Sequence, residues 1–158
     1  MTNTTARLPF ITLDELKRRG MRRVCGGCVA CCYVIEVGEL GKPFRTPCPH
    51  AIPGEGCAIW GGPGGPDGEP KTCKVYRCAW AMGFGEERDR PDRSGVLVDL
   101  RVPSMVSTDQ PRLYAIGIRE GDERTPKARQ AMTNIAQDTG HAVHLADRMM
   151  NVLEVIGG

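Results

Sequence analysis

Hydrophobic positions follow two regimes along the chain. In the second half they are periodic. "SGVLVDLRV" (94–102) and "RLYAIGIRE" (112–120) have strand composition and flank "PSMVSTDQP", which predicts an antiparallel pair with a loose connection. "TPKARQAMTNIAQDTG" (125–140) carries Ala128, Met132 and Ile135 near helical spacing. Thr125 stands ahead of Pro126 at the start and Gly140 at the end, so a capped helix is expected. In the tail, "AVHLA" and "NVLEVI" read as strands, while "LADRMMNVLEVI" also fits one amphipathic helix; the strand reading is adopted.

The first half is not periodic. "TLDELKRRG" (12–20) predicts a short helix with Thr12 as N-cap, acidic residues in its first turn, basic ones in its last and Gly20 at its end. Between Gly38 and Pro70 nearly half the residues are glycine or proline, including "GGPGGPDGEP". Few regular elements can form there and few large apolar side chains are available to bury. Something other than a hydrophobic core must fix this segment.

The cysteines lie in that half. Cys25, Cys28, Cys31, Cys32, Cys48, Cys57, Cys73 and Cys78 all fall between residues 25 and 78, and residues 79–158 contain none. At 158 residues the chain fits one domain. Residues 22–96 form its cysteine-cluster region and residues 95–158 a small α+β unit. The expected fold is therefore α+β, with a loop-rich, metal-organised N-terminal half, a small antiparallel sheet and one or two helices.

A formal charge of +2 from 21 basic and 19 acidic residues argues against electrostatic capture of nucleic acid or an anionic membrane. The N-terminus has no apolar run of signal-peptide length, and no segment approaches the roughly 18 apolar residues of a membrane span, so a cytoplasmic location is expected. Thiols there are kept reduced, which favours metal ligands or redox centres over disulfides.

A C-x2-C pair presents two sulfurs to one ion. Cys25 and Cys28 satisfy this, and Cys28 and Cys31 repeat it, so the run also matches the first three ligands of a bacterial iron–sulfur loop. The adjacent Cys31 and Cys32 differ, because neighbouring side chains diverge in helical or extended backbone. They are expected to serve different metals or different edges of one cluster. Eight thiols suffice for two four-sulfur sites. Eight thiolate charges set against two divalent ions leave −4 and turn the formal +2 into −2. Arg22, Arg23, Arg45, Lys71, Lys74 and Arg77 flank the cysteines, as compensating cations or as ordinary surface charges. Structural zinc contributes roughly 10–16 kcal/mol to folding in small peptides, enough to stand in for a missing core.

"CGGCVACC", followed in order by "TPCPH", "GEGCAIW", "PKTCKVYRCAW" and "RPDRSGV", resembles the CxxCxxCC cysteine-cluster family, also called YkgJ-type and described as a zinc- or iron-chelating domain. The resemblance spans roughly residues 22–96. It implies that Cys25, Cys28, Cys31 and Cys32 form the signature, Cys48 and Cys57 the middle pair, and Cys73 and Cys78 the last. Where the family has Arg-Pro ahead of the penultimate cysteine, this chain has Glu69 and Pro70. That departure touches a basic contact near the ligands and not the ligands themselves.

Other residues are secondary. His50, two positions from Cys48, is a candidate substitute ligand or a surface group, while His141 and His144 read as packing or solvent-facing. Trp60, Tyr76 and Trp80 stand beside cysteines and are placed to exclude water. "GEERDRPDRSG" (85–95) reads as a solvated linker. No catalytic constellation, phosphate loop or dinucleotide fingerprint is visible, and enzymatic activity is left open. The expected function is a metal-binding protein holding one or two thiolate-ligated zinc or iron centres, with a structural or partner-directed role and a protein partner as a further option. The alternative is an iron–sulfur redox protein or an accessory component of an enzyme system.

Overall fold

The structure, a computed structural model, describes residues 22–59, 72–73, 76–101, 112–147 and 149–157. The helix expected over 12–20, Trp60, Lys71 and Lys74 lie outside the described residues. In chain order the elements are α1 (Ala30–Val34), a 3-10 turn (Gly38–Leu40), the two-residue strands β1 (Ala51–Ile52) and β2 (Gly56–Cys57), a 3-10 turn (Glu87–Asp89), and α2 (Pro91–Ser94). Then come β3 (Val96–Arg101), β4 (Arg112–Gly117), a 3-10 turn (Asp122–Arg124), α3 (Pro126–Thr139), β5 (Val143–Ala146) and β6 (Val152–Ile156). Helix and strand are mixed in an α+β arrangement, with a two-stranded sheet β1-β2 and a four-stranded sheet in the order β3-β4-β5-β6.

The capping residues read from the sequence do bound α3. The Thr125 hydroxyl accepts from the Ala128 amide at 3.2 Å, Pro126 occupies the first turn, and Gly140 ends the helix in left-handed conformation at φ 72°. Its buried face, Ala128, Ala131, Met132, Ile135 and Ala136, recurs at three- and four-residue steps, so one stripe meets the sheet. Burying a side chain such as Met132 or Ile135 contributes about 1.5–3 kcal/mol.

β3 and β4 pair antiparallel as expected, with Val96 opposite Gly117 and Arg101 opposite Arg112. The tail forms two strands, β5 and β6, which also pair antiparallel. The sheet as a whole is not antiparallel, however. β4 and β5 run parallel, Leu113 against Val143 and Ile116 against Ala146. The cause is the connection: α3 carries the chain back along the sheet before β5 begins, the usual crossover between parallel neighbours.

Side chains alternate across the strands, and this divides the apolar residues into two compartments. Val96, Val98, Leu113, Ala115, Val143, Leu145 and Ile156 pack with the buried face of α3. Leu97 and Ile116 point to the other side, where they meet Ala30, Val34, Ile35, Val37, Trp80 and Ala81. The cysteine-rich half is thus laid on the face of the sheet that α3 leaves free. Among the described residues, no helix is long and apolar enough to cross a membrane.

The segment over 85–95 is not a solvated linker. Asp89 is 2% exposed and Ser94 1%. Asp89 accepts from the Glu86 amide at 2.7 Å and from Asn134 Nδ2 of α3 at 2.9 Å. Its charged composition suggested solvent, and Glu86, Glu87, Arg88, Asp92 and Arg93 are exposed, but Asp89 is spent on internal partners, and Pro91 starts α2 from inside the fold.

Candidate metal centre

All eight cysteines line one cavity of about 470 Å³. Four separated blocks of sequence supply them, and all are free thiols, with Cys78 buried and the other seven half-buried. Aliphatic side chains including Val29, Ile35, Val37, Leu40 and Leu97 complete the wall.

The first block makes its turn through two glycines with different duties. Gly26 adopts φ 58°, which glycine enters without Cβ strain. The turn closes as the Cys28 amide donates to the Cys25 carbonyl at 3.0 Å. Gly27 is needed for space: a Cβ there would stand 2.3 Å from the Gly54 carbonyl oxygen. Gly54 belongs to the tight turn between β1 and β2, where Ile52 pairs with Gly56 and Ala51 with Cys57. The knuckle carrying Cys25 and Cys28 therefore rests directly on the hairpin carrying Cys57.

Cys31 and Cys32 both sit in α1, a single short turn. Consecutive helical residues are displaced by roughly 100°. Even so the two thiols share a hydrogen bond, which holds Cys31 well above the ordinary thiol range, with burial adding to the rise. The same bond lowers Cys32 to about 7. Elsewhere burial dominates. It raises Cys25 and Cys28, Cys73 to about 11 and Cys78 to about 12.

Several backbone amides and cations oppose that cost. Amides of Ala30 and Asp92 donate to Cys28, and the Ala81 amide donates to Cys78. Arg77 and Arg90 act on Cys25. Lys42 is 4% exposed. Its ammonium group donates to the Ile35 carbonyl and lies near Cys48, Cys32, Cys31 and Cys73; burial lowers its pKa against the pull of those sulfurs.

No family model, curated protein or solved structure matches this chain.

The cations do not all stand where their sequence positions suggested. Arg23 is committed elsewhere: its guanidinium donates to the carbonyls of Trp80 at 3.2 Å, Phe84 at 2.9 Å and Gly85 at 2.5 Å. It also stacks 5.0 Å from the Trp80 ring centroid. Arg22 is exposed and lies outside the cavity wall. Arg77 is in the wall. Lys42 and Arg90 were missed because neither adjoins a cysteine in sequence. Lys42 is delivered by a reversal in which Val37 and Lys42 exchange backbone hydrogen bonds of 2.9 and 3.0 Å. Arg90 is oriented by paired bonds to Asp92 of 2.5 and 2.7 Å. A lysine between Gly41 and Pro43 was the available sequence signal, and it does not disclose burial.

His50 is not in the wall; its carbonyl accepts from the Ala58 amide at 2.8 Å. His144 packs against Tyr114, with ring centroids 5.7 Å apart. Trp80 is buried, and its indole donates to the Glu86 carbonyl at 3.0 Å. Tyr76 lines the cavity. Its hydroxyl is buried without a well-formed hydrogen bond; burial first and the Asp99 carboxylate second raise it well above the usual tyrosine range.

Among the described residues, no group of three or more His, Cys, Asp or Glu side chains is arranged to hold a metal ion. The thiols surround the cavity and do not meet at a point within it. The donor set nevertheless fits a metal: eight soft sulfurs in one enclosure, supplied with amide donors and cations, suit zinc or iron.

Proposed function

We propose that this chain is a metal-binding cysteine-cluster protein in which zinc or iron, held by Cys25, Cys28, Cys31, Cys32, Cys48, Cys57, Cys73 and Cys78 in two thiolate-ligated centres, organises the N-terminal half. One observation carries the reading: four blocks of sequence separated by glycine- and proline-rich chain bring all eight thiols to the wall of a single cavity. Buried small hydrophobes need no such convergence. The resemblance to the CxxCxxCC family supports the same reading.

Bound metal would supply a positive charge that holds thiolates where burial favours thiols, releasing their protons as it binds. The chain's own residues do the rest. Arg77, Arg90 and Lys42 offset thiolate charge, the amides of Ala30, Asp92 and Ala81 donate to sulfur, Tyr76 lines the wall, and Trp80 is buried in the apolar cluster that backs it. The role is structural or partner-directed: with the metals in place, residues 25–59 and 76–78 become a fixed surface on the sheet.

Elemental analysis and a visible absorption spectrum of protein purified without oxygen test this. About two zinc or two iron ions per chain are expected, since a closed structural site takes four ligands. Brown colour with acid-labile sulfide would instead assign the same thiolates to an iron–sulfur cluster, the reading favoured by C-x2-C-x2-C and by Pro49 after Cys48. Protein free of metal with eight rapidly reacting thiols would defeat both.

A further inference from the structure

We infer that bound metal would gather the cavity's thiols into two adjoining four-thiolate sites, an inner one of Cys25, Cys28, Cys31 and Cys78 and an outer one of Cys32, Cys48, Cys57 and Cys73, which meet at the Cys31–Cys32 peptide. The division rests on the metal-binding reading above and specifies how it is realised.

Hydrogen bonds tie each quartet together, while the packing of Gly27 on Gly54 joins the two. For the inner one, the amides of Arg22 and Arg23 donate to the Ala81 carbonyl at 2.8 and 3.2 Å. That lays the chain entering Cys25 beside the turn that follows Cys78, and the Arg23 guanidinium fastens the same turn through Trp80, Phe84 and Gly85. The turn is itself anchored to the sheet, because the Ala79 amide donates to the Val98 carbonyl at 2.9 Å. Cys25, Cys28, Cys31 and Cys78 all pack in the apolar cluster around Leu97 and Trp80.

For the outer quartet, the Cys48 amide donates to the Cys32 carbonyl at 2.9 Å, and the Ala51 amide to the Cys48 carbonyl at 3.2 Å. Ala51 is in turn paired across the hairpin with Cys57. Cys73, distant in sequence, is drawn in by its neighbour: the Thr72 hydroxyl donates to the Glu39 carboxylate at 2.9 Å, and the Thr72 amide at 3.1 Å. Glu39 lies in the reversal that also places Lys42. Of the outer four, Cys73 alone also touches the apolar cluster.

Charge proximity divides the thiols the same way. Cys73 feels Cys32, Cys57 and Cys48, whereas Cys78 feels Cys25 and Cys28. Cys31 feels Cys78 and Cys25 beyond its own neighbour Cys32; across the seam, Cys25 also feels Cys32. Arg90 acts on Cys25 and Cys28 of the inner quartet, and Lys42 on Cys48, Cys32 and Cys73 of the outer one, its field also reaching Cys31 at the seam. Each quartet also takes one ligand from the C-terminal block, so closing the outer site requires Cys73 to dock and the inner one Cys78.

The test uses the full chain reconstituted with zinc under nitrogen, with native alkylation mapped by peptide mass spectrometry. Cys73→Ser should lose one of two zinc ions and render Cys32, Cys48 and Cys57 reactive, with the inner four protected. Cys78→Ser should do the reverse, freeing Cys25, Cys28 and Cys31. Because Cys78 is buried and its replacement threatens folding, Cys25→Ser is the second inner variant, and it should free Cys28, Cys31 and Cys78. Variants that expose mixed sets from a zinc-loaded wild type, or Cys73→Ser and Cys25→Ser that both release all zinc, overturn the division alone. A wild type that takes up no zinc and reacts at all eight thiols overturns the metal-binding reading beneath it.

Discussion

At Gly27 the absence of a Cβ lets two backbones touch. A methyl group there would stand 2.3 Å from the Gly54 carbonyl oxygen and 2.6 Å from its carbon, and backbone cannot swing aside as a side-chain tip can. Gly27→Ala should therefore push the Cys25–Cys28 knuckle off the hairpin that bears Cys57, although it alters no thiol. The expected cost is about 1–3 kcal/mol, typical of overpacking, with metal content falling below that of wild type. Gly38→Ala, where a Cβ would meet nothing within 4 Å, is the control, and it should bind metal and melt like the parent. Equal metal content and melting temperature in the two variants would contradict the contact. The thiols themselves set a pH dependence. An ordinary thiol ionises near ~8.5, but burial holds Cys73 at about 11 and Cys78 at about 12. Metal must displace those protons as it binds, so zinc affinity should rise with pH. Competition with a chromogenic chelator at about pH 7 and about pH 9 measures this, and an affinity that does not change between them would contradict thiolate ligation.

Among the elements, those with a strong local signal were legible. α3 was marked at both ends by Thr125 with Pro126 and by Gly140, and β3 and β4 by their aliphatic runs, because caps and alternation are local features. The strands of the tail could also be read. The parallel pairing of β4 with β5 could not be read from them, since it follows from where α3 takes the chain. The short elements near the cysteines were illegible for the same reason: α1, β1 and β2 span five, two and two residues and exist through tertiary contacts such as Gly27 on Gly54. The eight candidate ligands stood out by residue type and spacing. Their grouping, and the roles of Lys42, Arg90 and Asp92, depend on contacts between distant segments. The sheet's apolar compartment against α3 owes nothing to the cysteines, whereas residues 25–59 bury few large side chains. Chelation should accordingly release amide protection across residues 25–59 and 76–78 while β3, β4, β5 and α3 keep most of theirs. Hydrogen exchange with peptide resolution, before and after chelator, measures this. Unchanged protection in the cysteine segments would show that they hold without metal.

For the molecule as a whole, the layering assigns separate sources of stability to the two faces of one sheet. α3 closes one face with an ordinary apolar core, and the other carries a segment rich in glycine and proline whose cavity is walled by eight thiols. Binding free energy of the size known for structural zinc, roughly 10–16 kcal/mol, exceeds the whole stability of many domains, about 5–15 kcal/mol. Metal would then decide whether the second face is a defined surface at all. Native mass spectrometry of the intact chain purified without oxygen tests this most directly, since it counts bound metal and displaced protons together. A single species carrying two zinc or two iron ions is expected, reverting to the bare chain mass with a strong chelator, while Cys73→Ser and Cys25→Ser should each carry one ion. A wild-type chain that appears at its bare mass, with all eight cysteines alkylated before any chelator is added, would contradict it.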